Sequence, residues 1–124
     1  MADALLTVAH KFTGENTSLP NFGAADQEIT VTTQKPVEFH EVSVATSEQV
    51  LNLGGVTAAK AMCVFKNLDD TNYVEVRTGT GAGNDAYYIP AGETHVWRFG
   101  TDVTAPYVVA NTAACLVSYR LTPV

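Results

Sequence analysis

The glycine-rich stretch from Gly79 to Gly83 is the part of the chain that looks most like a chemical motif. Its order, Gly-Thr-Gly-Ala-Gly, is similar to loops that bind phosphate through backbone N–H groups. Such loops lead into a helix whose N-terminus faces the anion, and the triphosphate-binding form also needs a Lys followed by Ser or Thr. Here Asn84 and Asp85 follow, and then a β-like run. The sequence therefore predicts an ordinary flexible loop.

The histidines and the paired aspartates do not form a metal-binding pattern. His10, His40 and His95 are far apart, whereas zinc sites usually contain closely spaced ligand pairs. Asp69 and Asp70 lack the spacing and the glycine of an EF-hand loop. Turn residues that cap local backbone groups are the simpler interpretation of the two aspartates. We expect no metal and no cofactor.

No serine lies in a nucleophile motif. The chain has no Gly-x-Ser-x-Gly, and Ser43, Ser47 and Ser118 lie in or beside predicted strands. A Ser-His-Asp site is assembled in space and requires no sequence order, so the sequence does not exclude one. Nothing local supports it, and the chain is predicted not to be an enzyme and to have no catalytic residue.

Four aromatic residues have two interpretations. Tyr73, Tyr87, Tyr88 and Trp97 are amphipathic rings in or beside short strands. They could form a platform for a sugar, which would make this a carbohydrate-binding module. Alternatively, such rings cover the edge of a sandwich or anchor a protein interface.

The elements that would position these residues are β-strands. Short alternating runs recur at spacings of roughly 8 to 12 residues, and no interior helix is convincing. The fold prediction is an all-β, jelly-roll-like sandwich of about eight strands, with an immunoglobulin-like sandwich second. Residues 28–124 form this domain, and residues 1–27 form an N-terminal strand or arm and a loop.

Two local features are predicted within the sandwich. Ala61 to Val76 is interpreted as one β-hairpin, whose first strand is apolar on both faces. This predicts a central strand covered on both sides or, alternatively, a strand with one face on the core and the other on a neighbouring subunit. In the strand from Val37 to Ala45 the alternation changes phase, which predicts either a β-bulge near His40 or Glu41 or a corner where the strand passes between two sheets.

The N-terminal residues are ambiguous. Residues 1–13 fit either a helical stripe or a strand, and the strand is favoured because the downstream chain is β. Residues 14–27 have the composition of a loop. A loop of this length suggests an arm or a long crossover.

Composition and charge limit the partners. The chain has 124 residues, 16% of them charged, and a net charge of −6. The negative charge and scattered basic residues argue against nucleic-acid binding. Cys63 and Cys115 are predicted to be buried free thiols. The start of the chain is a poor signal peptide, no run is long enough to span a membrane, and folding in a cytoplasm is expected.

One run resembles small structural proteins of tailed-phage virions. Residues 65–76, FKNLDDTNYVEV, match a pattern of the form F-x-N-L-D-x-T-N-Y/F-V-E-I/V that these proteins commonly carry. The likeness extends to residues 47–54, SEQVLNLG, then to 89–93, IPAGE, and to 110–114, ANTAA. It covers roughly residues 47 to 121.

The resemblance implies a non-enzymatic virion component. A capsid decoration (cement) protein that binds and stabilises the outer surface of the shell is expected first, and a head-fibre base or tail component is an alternative. The implied location is the virion exterior, after synthesis in the host cytoplasm. The implied partners are the major capsid protein and the chain itself, as a homotrimer or a dimer. The residues expected at a capsid or subunit interface are Phe12, Leu19, Pro20, Phe22, Tyr87 and Tyr88.

Overall fold

The computed structural model describes residues 5–11, 24–30, 36–56, 61–83, 85–100 and 102–123, the first two ranges as backbone only. These residues form ten β-strands and no helix. The strands are β1 (Leu5–Lys11), β2 (Ala24–Thr30), β3 (Val37–Val44), β4 (Gln49–Val50), β5 (Ala61–Asn67), β6 (Val74–Arg77), β7 (Ala86–Ile89), β8 (Thr94–Arg98), β9 (Tyr107–Ala110) and β10 (Cys115–Pro123).

Eight of the strands form two four-stranded antiparallel sheets. Sheet I has the order β3-β10-β5-β8, and sheet II has the order β4-β9-β6-β7. The remaining strands, β1 and β2, pair antiparallel with each other. The predicted all-β sandwich is confirmed at this level.

The core lies between the two sheets because each strand turns alternate residues inward. In β10 the inward set is Cys115, Val117, Tyr119 and Leu121, all buried as their alternation predicts. Sheet II supplies inward residues of its own to the same cluster, among them Val74, Val76, Ile89 and Val108. The Phe65 ring stacks on Tyr119 with centroids 5.5 Å apart.

The prediction of a hairpin across residues 61–76 is wrong. The strand β5 lies in sheet I and β6 lies in sheet II, so the chain crosses the core between them and the two strands do not pair. The hairpin in this region is formed by β6 and β7 instead. A short polar connection is compatible with a hairpin in one sheet and with an arch between two sheets. The arch is favoured because it buries the inward residues of both strands, such as Phe65 and Val76, in one core. The central position predicted for β5 is correct, since it lies between β10 and β8.

The predicted β-bulge in β3 is confirmed. Val117 of β10 pairs with Val42, and Tyr119 pairs with Phe39. His40 and Glu41 therefore both lie opposite Ser118. Glu41 has a φ of 53°, in the left-handed region that non-glycine residues rarely adopt. Because of the extra residue, Phe39 and Val42 both pack against the core.

The N-terminal strand favoured by the sequence is present as β1. The strand β2 runs from Ala24 to Thr30, so it begins inside residues 14–27, whose composition predicts a loop. The predicted division of the chain after residue 27 stays a prediction. Phe12, Leu19, Pro20 and Phe22 lie outside the described residues.

Candidate functional site

The glycine-rich loop holds a carboxylate that belongs to the chain itself. The backbone N–H of Gly81 donates to both carboxylate oxygens of Glu48, at 2.8 and 3.0 Å. The hydroxyl of Thr80 donates to Glu48 Oε1 at 2.6 Å. The loop was predicted to be an ordinary flexible one, but Thr80 and Gly81 donate hydrogen bonds to a carboxylate of the chain itself.

Glu48 is also paired with Arg77, which links the loop to sheet II. The Arg77 Nη1 atom lies 2.5 Å from Glu48 Oε2, and Arg77 Nε lies 2.8 Å from Glu75 Oε1. The hydrogen bond from Thr80, followed by those from Arg77 and Gly81, holds the pKa of Glu48 below its usual range. The carboxylate thus connects two segments that are distant in the sequence, since Glu48 and Gly81 are 33 positions apart.

A serine, a histidine and a glutamate come together at the bulge, which the sequence did not reveal. Ser118 Oγ lies 3.4 Å from His40 Nδ1, and His40 Nε2 lies 3.4 Å from Glu38 Oε2. Both distances exceed the 2.6–3.2 Å reach typical of a nucleophile and its base. The His40 side chain is 71% exposed, so water screens its electrostatic interactions. A catalytic site strengthens such interactions by excluding water. The geometry fits solvated polar contacts better than nucleophilic catalysis.

These residues line an open groove on the outer side of sheet I, which we call the groove face. The groove holds about 220 Å³. Across the four strands, one row of register partners is Glu38, Arg120, Val64 and Val96. The groove is lined by Glu38, His40, Val64, Lys66, Thr94, Ser118, Tyr119 and Arg120.

The groove face combines aliphatic side chains with positive charge. Val64, Val96 and Leu116 are large apolar residues exposed there. The outward positions carry Lys66, Arg98 and Arg120 against two carboxylates, Glu38 and the exposed Glu41 of the bulge, which leaves a local charge of +1 in a chain of net charge −6. Val64 and Val96 are register partners on neighbouring strands, so their exposed side chains lie side by side, and Leu116 lies further along β10.

The outer side of sheet II is different, and we call it the tyrosine face. Tyr73 and Tyr88 are exposed there, with ring centroids 5.6 Å apart. Glu75 lies between Tyr88 on β7 and Val109 on β9 in the register. Thus Tyr88, one of the predicted interface residues, lies on an accessible surface.

The predicted aromatic platform is divided between the surface and the core. Tyr87 and Trp97 stack on each other with centroids 4.6 Å apart, and both pack against the core cluster. Tyr87 is therefore partly buried in the sandwich, and its predicted interface role is untested. Trp97 Nε1 is buried and has no hydrogen-bond partner among the residues that the structure describes.

The aspartate turn has the capping role that its sequence predicts. Asp69 Oδ2 accepts the backbone N–H groups of Thr71 at 3.0 Å and Asn72 at 2.6 Å. Those bonds, the Asn72 one first, hold the pKa of Asp69 below its usual range. Within the described residues no cluster of three or more His, Cys, Asp or Glu side chains is placed to hold a metal ion.

Both cysteines are buried free thiols, as predicted. Cys63 lies opposite Leu121, six residues along β10 from Cys115. At about 3.3 Å of rise per residue, the two are roughly 20 Å apart. Burial raises the pKa of the Cys63 thiol, which lowers its reactivity.

The comparisons with known proteins give no family. No protein-family model, curated protein or solved structure matches this chain. The described part of the structure contains no helix that is both long and apolar enough to cross a membrane.

Proposed function

We propose that the two sheets form a jelly roll and that the chain is a capsid decoration protein of a tailed phage. The strand orders support the jelly roll. If the eight sandwich strands are lettered B to I, sheet I has the order B-I-D-G and sheet II has the order C-H-E-F. Two four-stranded sheets with interleaved strands are expected of a jelly roll, an architecture that occurs in viral capsid and lectin domains.

The virion role rests on the sequence resemblance in residues 65–76, because fold alone does not identify function. In the structure this run is the second half of β5, the arch between the sheets and most of β6. The pattern Asn-Leu-Asp-x-Thr-Asn supplies the side chains that shape the arch. The resemblance therefore falls on a segment with a definite structural role in this fold.

The groove face carries the proposal for how the protein docks. Burial of its exposed aliphatic residues would favour binding, and its local charge of +1 would favour an acidic partner surface. The rest of this acidic chain would be repelled by the same surface. Docking on an acidic outer shell of the major capsid protein would therefore orient the molecule with sheet I toward the shell.

The N-terminal strands add a second contact in this proposal. They precede β3, which is an edge strand of sheet I, and they pair with each other in a sheet of their own. An arm that begins there can extend along the shell or onto a neighbouring copy. We assign to it the predicted contacts of Phe12, Leu19, Pro20 and Phe22, in a homotrimer or a dimer on a symmetry axis of the shell.

A matched pair of valines tests the docking face. Val96 on the groove face is 51% exposed, and Val50 on the opposite sheet is 55% exposed. In a sedimentation assay with shells assembled from the major capsid protein, Val96→Asp should weaken binding at least tenfold, whereas Val50→Asp should leave it unchanged. Equal effects of the two substitutions would refute docking through the groove face.

The virion assignment itself is tested on intact particles. Cryo-electron microscopy should place the protein on the capsid exterior, with sheet I toward the shell. Binding should also weaken as salt increases, because the attraction involves surface charges. Absence of the protein from the capsid exterior would refute the proposal.

A further inference from the structure

The tyrosine face contains a second concavity, on the side of the molecule away from the groove face. It holds about 270 Å³, and it opens beside the end of β9 and the start of β6. The residues that line it are Thr46, Tyr73, Glu75, Arg77, Val109, Ala110 and Asn111.

The backbone around this pocket is fixed. The N–H of Asn111 donates to the carbonyl of Tyr73 at 3.2 Å, and the N–H of Ala110 donates to the carbonyl of Ala45 at 2.8 Å. These bonds join the three segments that contribute the lining residues. The pocket is therefore formed before any ligand arrives, which lowers the entropic cost of binding.

The polar groups in the pocket are held in place as well. The side chains of Glu75 and Arg77 are only 13% and 15% exposed, and they are joined by the hydrogen bond from Arg77 Nε to Glu75 Oε1. Arg77 is held a second time by Glu48. A planar carboxylate and a planar guanidinium thus border the cavity in a defined orientation.

The charge of this cluster favours a neutral ligand. Glu48 and Glu75 against Arg77 leave one net negative charge, which disfavours phosphate or carboxylate ligands. Glu75 and Arg77 are paired with each other, so neither charge is left unpaired to bind an ion of opposite sign. The pocket offers guanidinium donors, carboxylate acceptors and, in Thr46 and Asn111, groups that both donate and accept. A ligand with several neutral hydroxyl groups matches this set.

Tyr73 adds an apolar surface to the polar side of the pocket. Tyr73 is 38% exposed. The centroids of the Tyr73 and Tyr88 rings are 5.6 Å apart, and the ring planes make an angle of 58°. A sugar ring has one face of C–H groups and a rim of hydroxyls, so it can stack on Tyr73 while its rim bonds to Glu75 and Asn111. We infer that this pocket binds a single neutral sugar residue of a glycan.

This inference does not depend on the capsid role, because the pocket and the groove face belong to different sheets. The isolated full chain can therefore be tested by titrating ¹⁵N-labelled protein with the methyl glycosides of glucose, galactose and N-acetylglucosamine. At least one should cause saturable shifts of the amides of Thr46, Tyr73 and Asn111. A dissociation constant on the order of 1 mM is expected for a ligand of this size.

Substitutions locate the site. Tyr73→Ala should weaken binding roughly fivefold or more, and Tyr73→Phe should retain it because the stacking ring remains. Asn111→Ala, at an exposed position, provides a second variant that does not depend on removing an aromatic ring. His40→Ala on the groove face should leave binding unchanged.

Two results would overturn the inference. The first is the absence of saturable shifts at these amides with all three glycosides. The second is a response to inorganic phosphate that exceeds the response to the glycosides, since this would identify an anion site.

Discussion

At the scale of single residues, Asn67 explains why the chain turns across the core after β5. Its side chain is fully buried, and Nδ2 donates to the carbonyls of Asn72 at 2.8 Å and Ile89 at 3.0 Å. Its Oδ1 accepts the N–H of Asp69 at 3.0 Å. One amide group therefore satisfies two backbone groups of the arch and one at the end of β7, so that these groups are not left unpaired.

Asn67→Ala should reduce the free energy of unfolding by about 2–3 kcal/mol, because buried carbonyl and N–H groups lose their partners. The midpoint of urea denaturation should fall with little change in its slope. Asn52→Ala is the matched control, since the exposed Asn52 side chain accepts one hydrogen bond, from the N–H of Gly54. That control should cost less than about 1 kcal/mol, and an equal loss in both variants would contradict the role of Asn67.

Glu48 gives a pH-dependent prediction. Its folded-state pKa is depressed, chiefly by the hydrogen bond from Thr80, so the stabilisation is present above the ordinary glutamate pKa of about 4.3 and is lost as pH falls through the folded value. Glu48→Gln should therefore lower Tm at pH 7, and its deficit relative to the original chain should shrink below about pH 4. Thermal unfolding monitored from pH 7 to pH 3 measures this difference. A deficit that stays constant over the whole range would contradict the prediction.

At the scale of elements, the bulge in β3 determines which side chains reach each face. The extra residue returns Val42 to the core side after Phe39, and it places His40 and Ser118 on the groove face. The bulge places Glu41 at a left-handed φ, which has an unfavourable conformational energy for a non-glycine residue. The changed phase of apolar residues predicted that the alternation resets near His40 or Glu41, because alternation in a strand is a local property. The register along β10 decided that a bulge, and not a corner between sheets, produces the reset.

Substitutions at Glu41 test this backbone geometry. Glu41→Val should reduce the free energy of unfolding by about 1–2 kcal/mol, since a β-branched residue is disfavoured at positive φ. Glu41→Gly should stay within about 1 kcal/mol of the original chain, because relief of strain opposes the larger entropy of unfolded glycine. Chemical denaturation of both variants provides the comparison. A valine variant as stable as the glycine variant would contradict a left-handed residue at this position.

At the scale of the whole molecule, the two outer faces have different chemistry. Sheet I presents aliphatic side chains and basic charge, whereas sheet II presents tyrosines around a carboxylate–guanidinium cluster. In our two proposals the groove face docks on the capsid shell and the tyrosine face binds a glycan, so each face has its own role. The two proposals can therefore succeed or fail independently.

Deletion of residues 1–30 tests whether the sandwich needs the N-terminal strand pair. In the described ladders β1 and β2 pair with each other, and the eight sandwich strands pair among themselves. The shortened chain should therefore keep its β circular dichroism and a cooperative unfolding transition. It should also lose binding to the capsid shell if the arm is a docking segment. An unfolded product would show that the strand pair is part of the folding unit.

The sequence by itself determined the properties that depend on neighbouring residues. The inward set of β10, the change of phase in β3 and the capping role of Asp69 follow from local patterns. Each depends on alternation or on hydrogen bonds within a few residues.

Only the tertiary structure decided which strands pair and which distant groups meet. It changed the expected hairpin into an arch between sheets, and it brought Glu48 to Gly81 and His40 to Ser118 over separations of 33 and 78 residues. It also turned Tyr87 toward the core and left Tyr88 at the surface. A polar connection is compatible with a hairpin and with an arch, so the choice depends on which arrangement buries the apolar faces of all eight strands together.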